Sequence, residues 1–263
     1  MLDRVAVTSR QYGMQFAPGK CKVMTHNISG NIGNLSIGNV TLETVSNFNY
    51  LGSCIGASGD NLDEISSRIA KSRMVFANLH HLWRRGDVSL ALKGRVYKCT
   101  VRATLLYGCE TWSLRKEDIR RLEVFDMRCL RYLAKVSWSD RTSNERVLRK
   151  IFMEGAPKSS LQAQMNLSRL RWLGHVLRMG ESRLPHKSVI FKPPNMWKKA
   201  AGGQKKTWSK DIKELVAPLA KVGNIWLPGW SHKDDPSQWI STLKDMASNR
   251  SQWRSCCYSL IGV

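Results

Sequence analysis

The 263 residues carry 42 Lys+Arg against 20 Asp+Glu, a formal net charge of +22, with 42% hydrophobic and 8% aromatic residues. That composition builds an ordinary core and excludes wholesale disorder. No run of about 18 apolar residues is present to cross a membrane, and the opening MLDRVAVTSRQYG lacks the apolar stretch of a secretory signal.

Residues 1–60 read as β-rich. Pro18-Gly19 forms a turn into a short strand over residues 21–25, whose edge is expected to be exposed. Leu35 and Ile37, a Gly38-Asn39 turn, then Val40 and Leu42 make a hairpin. Phe48 to Ser53 is a further extended piece. From residue 61 the apolar spacing changes to steps of three, four or seven, which predicts helix. Asn61 is the N-cap of the first, with Glu64 as its capping-box partner. That helix turns Leu62, Ile65, Ile69, Phe76, Leu79 and Trp83 inward and ends at Gly86. A second, stopped by Gly108, turns Leu92, Val96, Cys99, Ala103 and Leu106 inward. A third spans 116–134, with Ile119, Leu122, Phe125, Cys129 and Leu133 inward. Helices over 144–152 and 159–179 follow, the latter stopped by Gly180. Pro185, Pro193, Pro194 and Gly202-Gly203 make 181–206 irregular. Two last helices cover 208–222 and 238–260, joined by a loop holding Trp226 and Trp230 as buried tryptophans. The expected fold is mainly α with a small N-terminal β-rich piece, in three parts: 1–60, 61–180 and 181–263.

Residues 1–60 hold only four basic and three acidic side chains, so +21 of the net charge lies in residues 61–263. So one-sided a field implies a polyanionic partner, and nucleic acid fits better than a membrane, since no basic amphipathic terminus or lipidation signal is present. Two segments concentrate the cations. Arg169, Arg171, His175 and Arg178 lie on one predicted helix. Arg171 and His175 share a face and Arg178 follows a turn later, an array suited to tracking phosphates. The competing reading is a solvated face over inward Trp172 and Leu173, with Gly174 admitting a neighbouring backbone. Lys198, Lys199, Lys205 and Lys206 flank Gly202-Gly203 ahead of a helix, forming either a phosphate clamp or a solvated loop. Seven scattered cysteines suit reduced thiols inside a cell. No zinc-ligand spacing, P-loop, dinucleotide fingerprint or nucleophile elbow occurs.

Taken in order, GMQFAPGKCKVM, VSNFNYLGS, LLYGCETWSL, RLRWLGHVLRM, GGQKKTW and WRSC resemble the C-terminal part of a non-LTR (LINE-type) retrotransposon reverse transcriptase, over nearly the whole chain. The resemblance implies that the first segment is polymerase motif D, at the end of the palm. Lys20 would match the lysine proposed there as general acid toward the leaving pyrophosphate. The second implies motif E, the primer grip, at Phe48, Tyr50, Leu51 and Gly52. The helices beyond would be the thumb and the C-terminal region that hold template and primer. The implied partner is RNA, DNA or a hybrid duplex, and the implied location the nucleus. An intact enzyme of this kind joins nucleotides with two Mg²⁺ held by paired carboxylates. These come from motif A and a (Y/F)ADD hairpin, both N-terminal to motif D. Residues 1–19 offer Asp3 alone. The expectation is a truncated retroelement product without catalytic residues or cofactor of its own that still binds nucleic acid. The alternatives are the C-terminal part of an active polymerase, or a basic helical interaction protein with no nucleic-acid role.

Overall fold

The structure is a computed structural model, and it describes residues 2–15, 17–25, 33–57, 62–153, 160–190, 207–231, 234–235 and 238–262. Helix dominates, with a few small two-stranded sheets. The chain divides into two compact units, Met1–Ser67 and Arg68–Val263.

The first unit opens on a helix that apolar spacing did not announce, α1 (Leu2–Gln11), which packs beside β2. The expected strand shrinks to β1 (Lys22–Val23), and it pairs in parallel with β4 (Glu43–Thr44). An ion pair between Lys22 and Glu43 crosses that pairing. The Gly38-Asn39 hairpin forms as read, from β2 (Ser36–Ile37) and β3 (Val40–Thr41), with Gly38 at positive φ. The piece beginning at Phe48 is a second hairpin, β5 (Asn47–Tyr50) and β6 (Ser53–Gly56). Its turn residues Leu51 and Gly52 have φ of 48° and 86°. Two consecutive positive φ values match the twist of the flanking strands. They suit glycine, whereas a leucine there is disfavoured by its Cβ.

The predicted helix over 61–86 is two helices, α2 (Leu62–Asn78) and α3 (His80–Arg84), broken at Leu79. Asn61 lies outside the described residues, and Glu64 accepts a hydrogen bond from the Cys54 backbone N–H. The next stretch is α4 (Leu90–Tyr97), a π-helical turn (Lys98–Arg102) and a short α5 (Ala103–Leu105). Its buried face is not the expected one. Lys93, Gly94, Tyr97, Val101, Arg102 and Leu105 are buried, whereas Leu92, Cys99 and Ala103 are exposed. The face turned because both buried cations find partners. Lys93 donates from Nζ to the carbonyls of Trp83 and Arg85, capping the end of α3. Arg102 pairs with Asp126 on α6 (Lys116–Ala134).

Helix α6 and the next one, α7 (Asn144–Phe152), match their predicted spans, and Ser143 caps α7. Helix α4 packs on α6 and α7, with Gly94 where a Cβ would stand 2.7 Å from Ile151 Cγ2. Helix α8 (Leu161–Leu177) follows with Ser160 as N-cap.

Residues 184–190 form α9 (Leu184–Ile190) where an irregular segment was expected. Pro185 sits in its first turn, where the missing N–H has no intrahelical partner to lose. Helix α10 (Trp208–Val216) stops short of the expected 222, because Pro218 follows in a 3₁₀ turn. The chain then makes a hairpin, β7 (Lys221–Val222) with β8 (Ile225–Trp226), whose Trp226 is 49% exposed and not buried as expected. The predicted helix over 238–260 is α11 (Gln238–Ser248) and α12 (Arg250–Leu260). Asn249 separates them, its side chain accepting from the Ser251 and Gln252 N–H groups. Leu170, Leu173, Val176, Ile212, Leu243 and Trp253 belong to one core, so the expected division at 180/181 falls inside a single packed body.

Candidate nucleic-acid interface

Helix α8 carries most of the first basic segment and is a packing axis of the second unit. It packs against the 3₁₀ turn Cys109–Thr111, α6, α9, α11 and α12. Trp253 lies across it. The indole N–H donates to the Leu170 carbonyl at 3.0 Å, and an added Cβ on Gly174 would stand 2.1 Å from Trp253 Nε1. Gly174 therefore admits an indole ring and not, as expected, a backbone. Trp172 meets Trp208 edge-on at 5.6 Å, and Trp208 Nε1 donates to the Glu110 carbonyl at 2.7 Å. Glu110 of LLYGCETWSL, Trp208 at the end of GGQKKTW and Trp253 of WRSC thus pack with RLRWLGHVLRM around a single helix.

The four polar residues singled out on α8, with Arg178 at its C-cap, part company. Arg169 is buried, and its guanidinium pairs with Asp211 at 2.6 Å, tying α8 to α10. A buried cation already matched to a carboxylate cannot reach a phosphate, so the expected interface role is corrected to a structural one. Arg178 donates to the Ala247 carbonyl at 2.9 Å, near the end of α11, where helix carbonyls attract a cation. His175 and Arg171 are exposed. Arg171 donates to Tyr258 Oη at 2.8 Å, and both Arg171 and Arg254 lie within 6 Å of the Tyr258 ring centroid. Hydrogen bonding from Arg254, with the nearby charge of Arg171, holds the Tyr258 phenol below its ordinary value.

Between the π-helical turn and α8 opens a cleft of about 650 Å³. Lys98, Arg102, Tyr107, Glu110, Gln164 and Arg171 contribute to its walls. Gly108, with φ of 79°, turns the chain just after Tyr107. The Arg68 guanidinium sits 4.6 Å from the Tyr107 ring centroid. The back wall is held by Arg102, whose Nε and Nη2 donate to the two Asp126 oxygens at 2.8 and 2.7 Å. Tyr97 donates its hydroxyl to the same carboxylate at 2.9 Å. A second basic pocket, about 490 Å³, is lined by Arg84, Arg131, Tyr132 and Lys135 at the C-terminal end of α6. Its Arg131 donates to the Thr142 carbonyl at 2.6 Å and to Asn144 Oδ1 at 3.1 Å.

Lys20 is exposed at the end of a 3₁₀ turn, Pro18–Lys20. Phe48 is half-buried, while Tyr50, Leu51 and Gly52 form the exposed tip of the β5–β6 hairpin. Lys198, Lys199, Lys205 and Lys206 lie outside the described residues. Among the described residues no group of three His, Cys, Asp or Glu is placed to hold a metal, and no helix is long and apolar enough to cross a membrane. Sequence reasoning missed Lys98, Tyr107, Arg254 and Tyr258. Tyr107 and Arg254 stood inside segments noticed only for their resemblance, with no charge array to mark them.

Burial, more than any other influence, lifts the Cys109 and Cys129 thiols to about 12 and pushes the Tyr97 phenol well up. These groups ionise more easily unfolded than folded, so the folded state gains nothing from them once they must charge. Denaturant midpoints followed from pH 8 upward should stay level to about 9, the ordinary thiol value, and fall steadily toward 12. A midpoint rising over that window would contradict the burial of these side chains.

Comparison with family models, curated proteins and solved structures found no match to this chain.

Proposed function

We propose that these residues are the motif D, motif E, thumb and C-terminal region of a non-LTR reverse transcriptase, and that they hold RNA, DNA or a hybrid duplex without reading its sequence. The observation that carries the binding is the +21 charge confined to residues 61–263. Such a field is costly to keep unless phosphates neutralise it. The family reading rests on six segments in order. It is supported by the meeting of four of them around α8, because segments that pack together are constrained together. It is also supported by Leu51. This residue is 76% exposed and at positive φ. A non-glycine residue held at positive φ on an exposed tip is the kind of backbone strain that clusters at functional sites.

The two Mg²⁺ that the resemblance implies find no fitting ligand set among the described residues. The deepest carboxylate, Asp126, is committed to Arg102. No step is therefore assigned to a metal, and by themselves these residues bind without joining nucleotides. A longer polymerase that supplied paired carboxylates would use the same surface to hold its substrate.

Affinity for a generic duplex, measured by filter binding, should fall at least about tenfold between 50 and 200 mM salt, as counterions released from two or more phosphates dictate. Flat salt dependence would sink the reading. So would primer extension by the purified chain alone. Absence of binding at low salt would favour the interaction-protein alternative, toward which the buried pairing of Arg102 and Arg169 already leans.

A further inference from the structure

The cleft beside α8 combines an aromatic ring, a modest positive field and a volume that suits a small ligand. Tyr107 is 53% exposed, yet it is not a loose surface ring. Gly108 fixes the turn after it, and the Arg68 guanidinium covers the ring at 4.6 Å. Arg68 is itself only 4% exposed, so the ring is backed by a side chain anchored in the protein. The charge at the cleft is mixed. Arg102 is matched by Asp126, Lys98 lies over the Phe152 ring at 4.4 Å, Arg171 donates to Tyr258 Oη, and Glu110 adds a carboxylate to the same walls. That balance suits a single phosphodiester better than the dense charge of a duplex. The volume, about 650 Å³, falls within the range of small-ligand pockets, and a double helix cannot enter it. Gln164 and Ser168 on the α8 wall supply donors and acceptors for the edge of a base. The π-helical turn Lys98–Arg102 widens the opposite wall, a distortion frequent at functional sites.

We propose that this cleft seats one unpaired nucleotide of a bound strand, its base stacked on Tyr107 and its phosphate against Arg171 and Lys98. The assignment rests on the nucleic-acid reading above and adds that part of the chain selects single-stranded over paired substrate. Stacking on an aromatic ring tolerates any base, so the preference is for strandedness and not for sequence.

The test compares the full chain with Tyr107→Ala and Tyr107→Phe, by fluorescence anisotropy at one salt concentration. The probes are a short labelled oligothymidylate and a matched duplex. Tyr107→Ala should weaken the single strand by roughly five- to a hundredfold, the loss of one base–aromatic stack, and change the duplex by less than about twofold. Tyr107→Phe should retain the single-strand affinity. Equal weakening of both probes, or unchanged single-strand binding by Tyr107→Ala, would overturn the cleft assignment and leave general binding standing. Failure of the unmodified chain to bind either probe would overturn both. Photocrosslinking of a 5-iodouridine oligomer to the unmodified chain reads the site without any variant. The expected adduct is on the peptide containing Tyr107, and adducts confined to other peptides would count against the cleft. Saturation by micromolar thymidine monophosphate would mark a free-nucleotide pocket and overturn the strand assignment.

Discussion

Replacing Asp126 with alanine should destabilise the Arg68–Val263 unit by about 3–5 kcal/mol, the usual cost of stranding a buried charge. Arg102 and Asp126 have side chains only 1% and 2% exposed, and two parallel hydrogen bonds join them. Removing the carboxylate takes two charge-assisted hydrogen bonds from a buried guanidinium and the 2.9 Å bond from the Tyr97 hydroxyl. Urea unfolding should show a lower midpoint with an unchanged slope, because the surface exposed on unfolding stays the same. The pair itself need not be strongly stabilising. Desolvation of two charges offsets most of their attraction, so Arg102→Met with Asp126→Leu should recover most of the loss. If Asp126→Ala unfolds at the same urea concentration as the unmodified chain, the ion pair is not buried.

The same pair shows why some elements were legible in the sequence and others were not. In α6 the apolar residues recur at helical steps and the acidic residues Glu117 and Asp118 open the first turn, so span and inward face both followed from local pattern. In α4 and the π-helical turn they did not. A reading by hydropathy sends Lys93 and Arg102 to water and takes the adjacent apolar stripe as core. Their partners are the end of α3 and a carboxylate 24 residues away, and neither belongs to the local period. Asn249 interrupted a run of apolar spacing that looked continuous, although an asparagine suits a helix N-cap better than a helix interior. The basic array on α8 was visible as charge. Which of its cations are spent inside the protein depended on Asp211 and on the end of α11. Tyr107 carries no charge and sits in a turn, so nothing in composition or period distinguished it.

Trp253→Ala should cost about 3–5 kcal/mol, the range for deleting a large buried aromatic side chain. The indole is 3% exposed, belongs to the core shared by α8, α11 and α12, and bonds to the Leu170 carbonyl. Gly174→Ala should be damaging for the complementary reason. A Cβ 2.1 Å from Trp253 Nε1 and 2.4 Å from Trp253 Cδ1 has no room, so either the ring or one of the two helices must shift. Overpacking of that kind costs about 1–3 kcal/mol, occasionally more. The two substitutions should not add. Once Trp253 is alanine the space above Gly174 is open, and alanine is favoured over glycine in a helix interior by about 1 kcal/mol. Gly174→Ala should therefore change sign, from destabilising in the unmodified chain to neutral or stabilising beside Trp253→Ala. Equilibrium unfolding of the four proteins in that cycle measures the reversal directly. A penalty at Gly174 that persists without the indole would mean that something other than Trp253 requires the glycine.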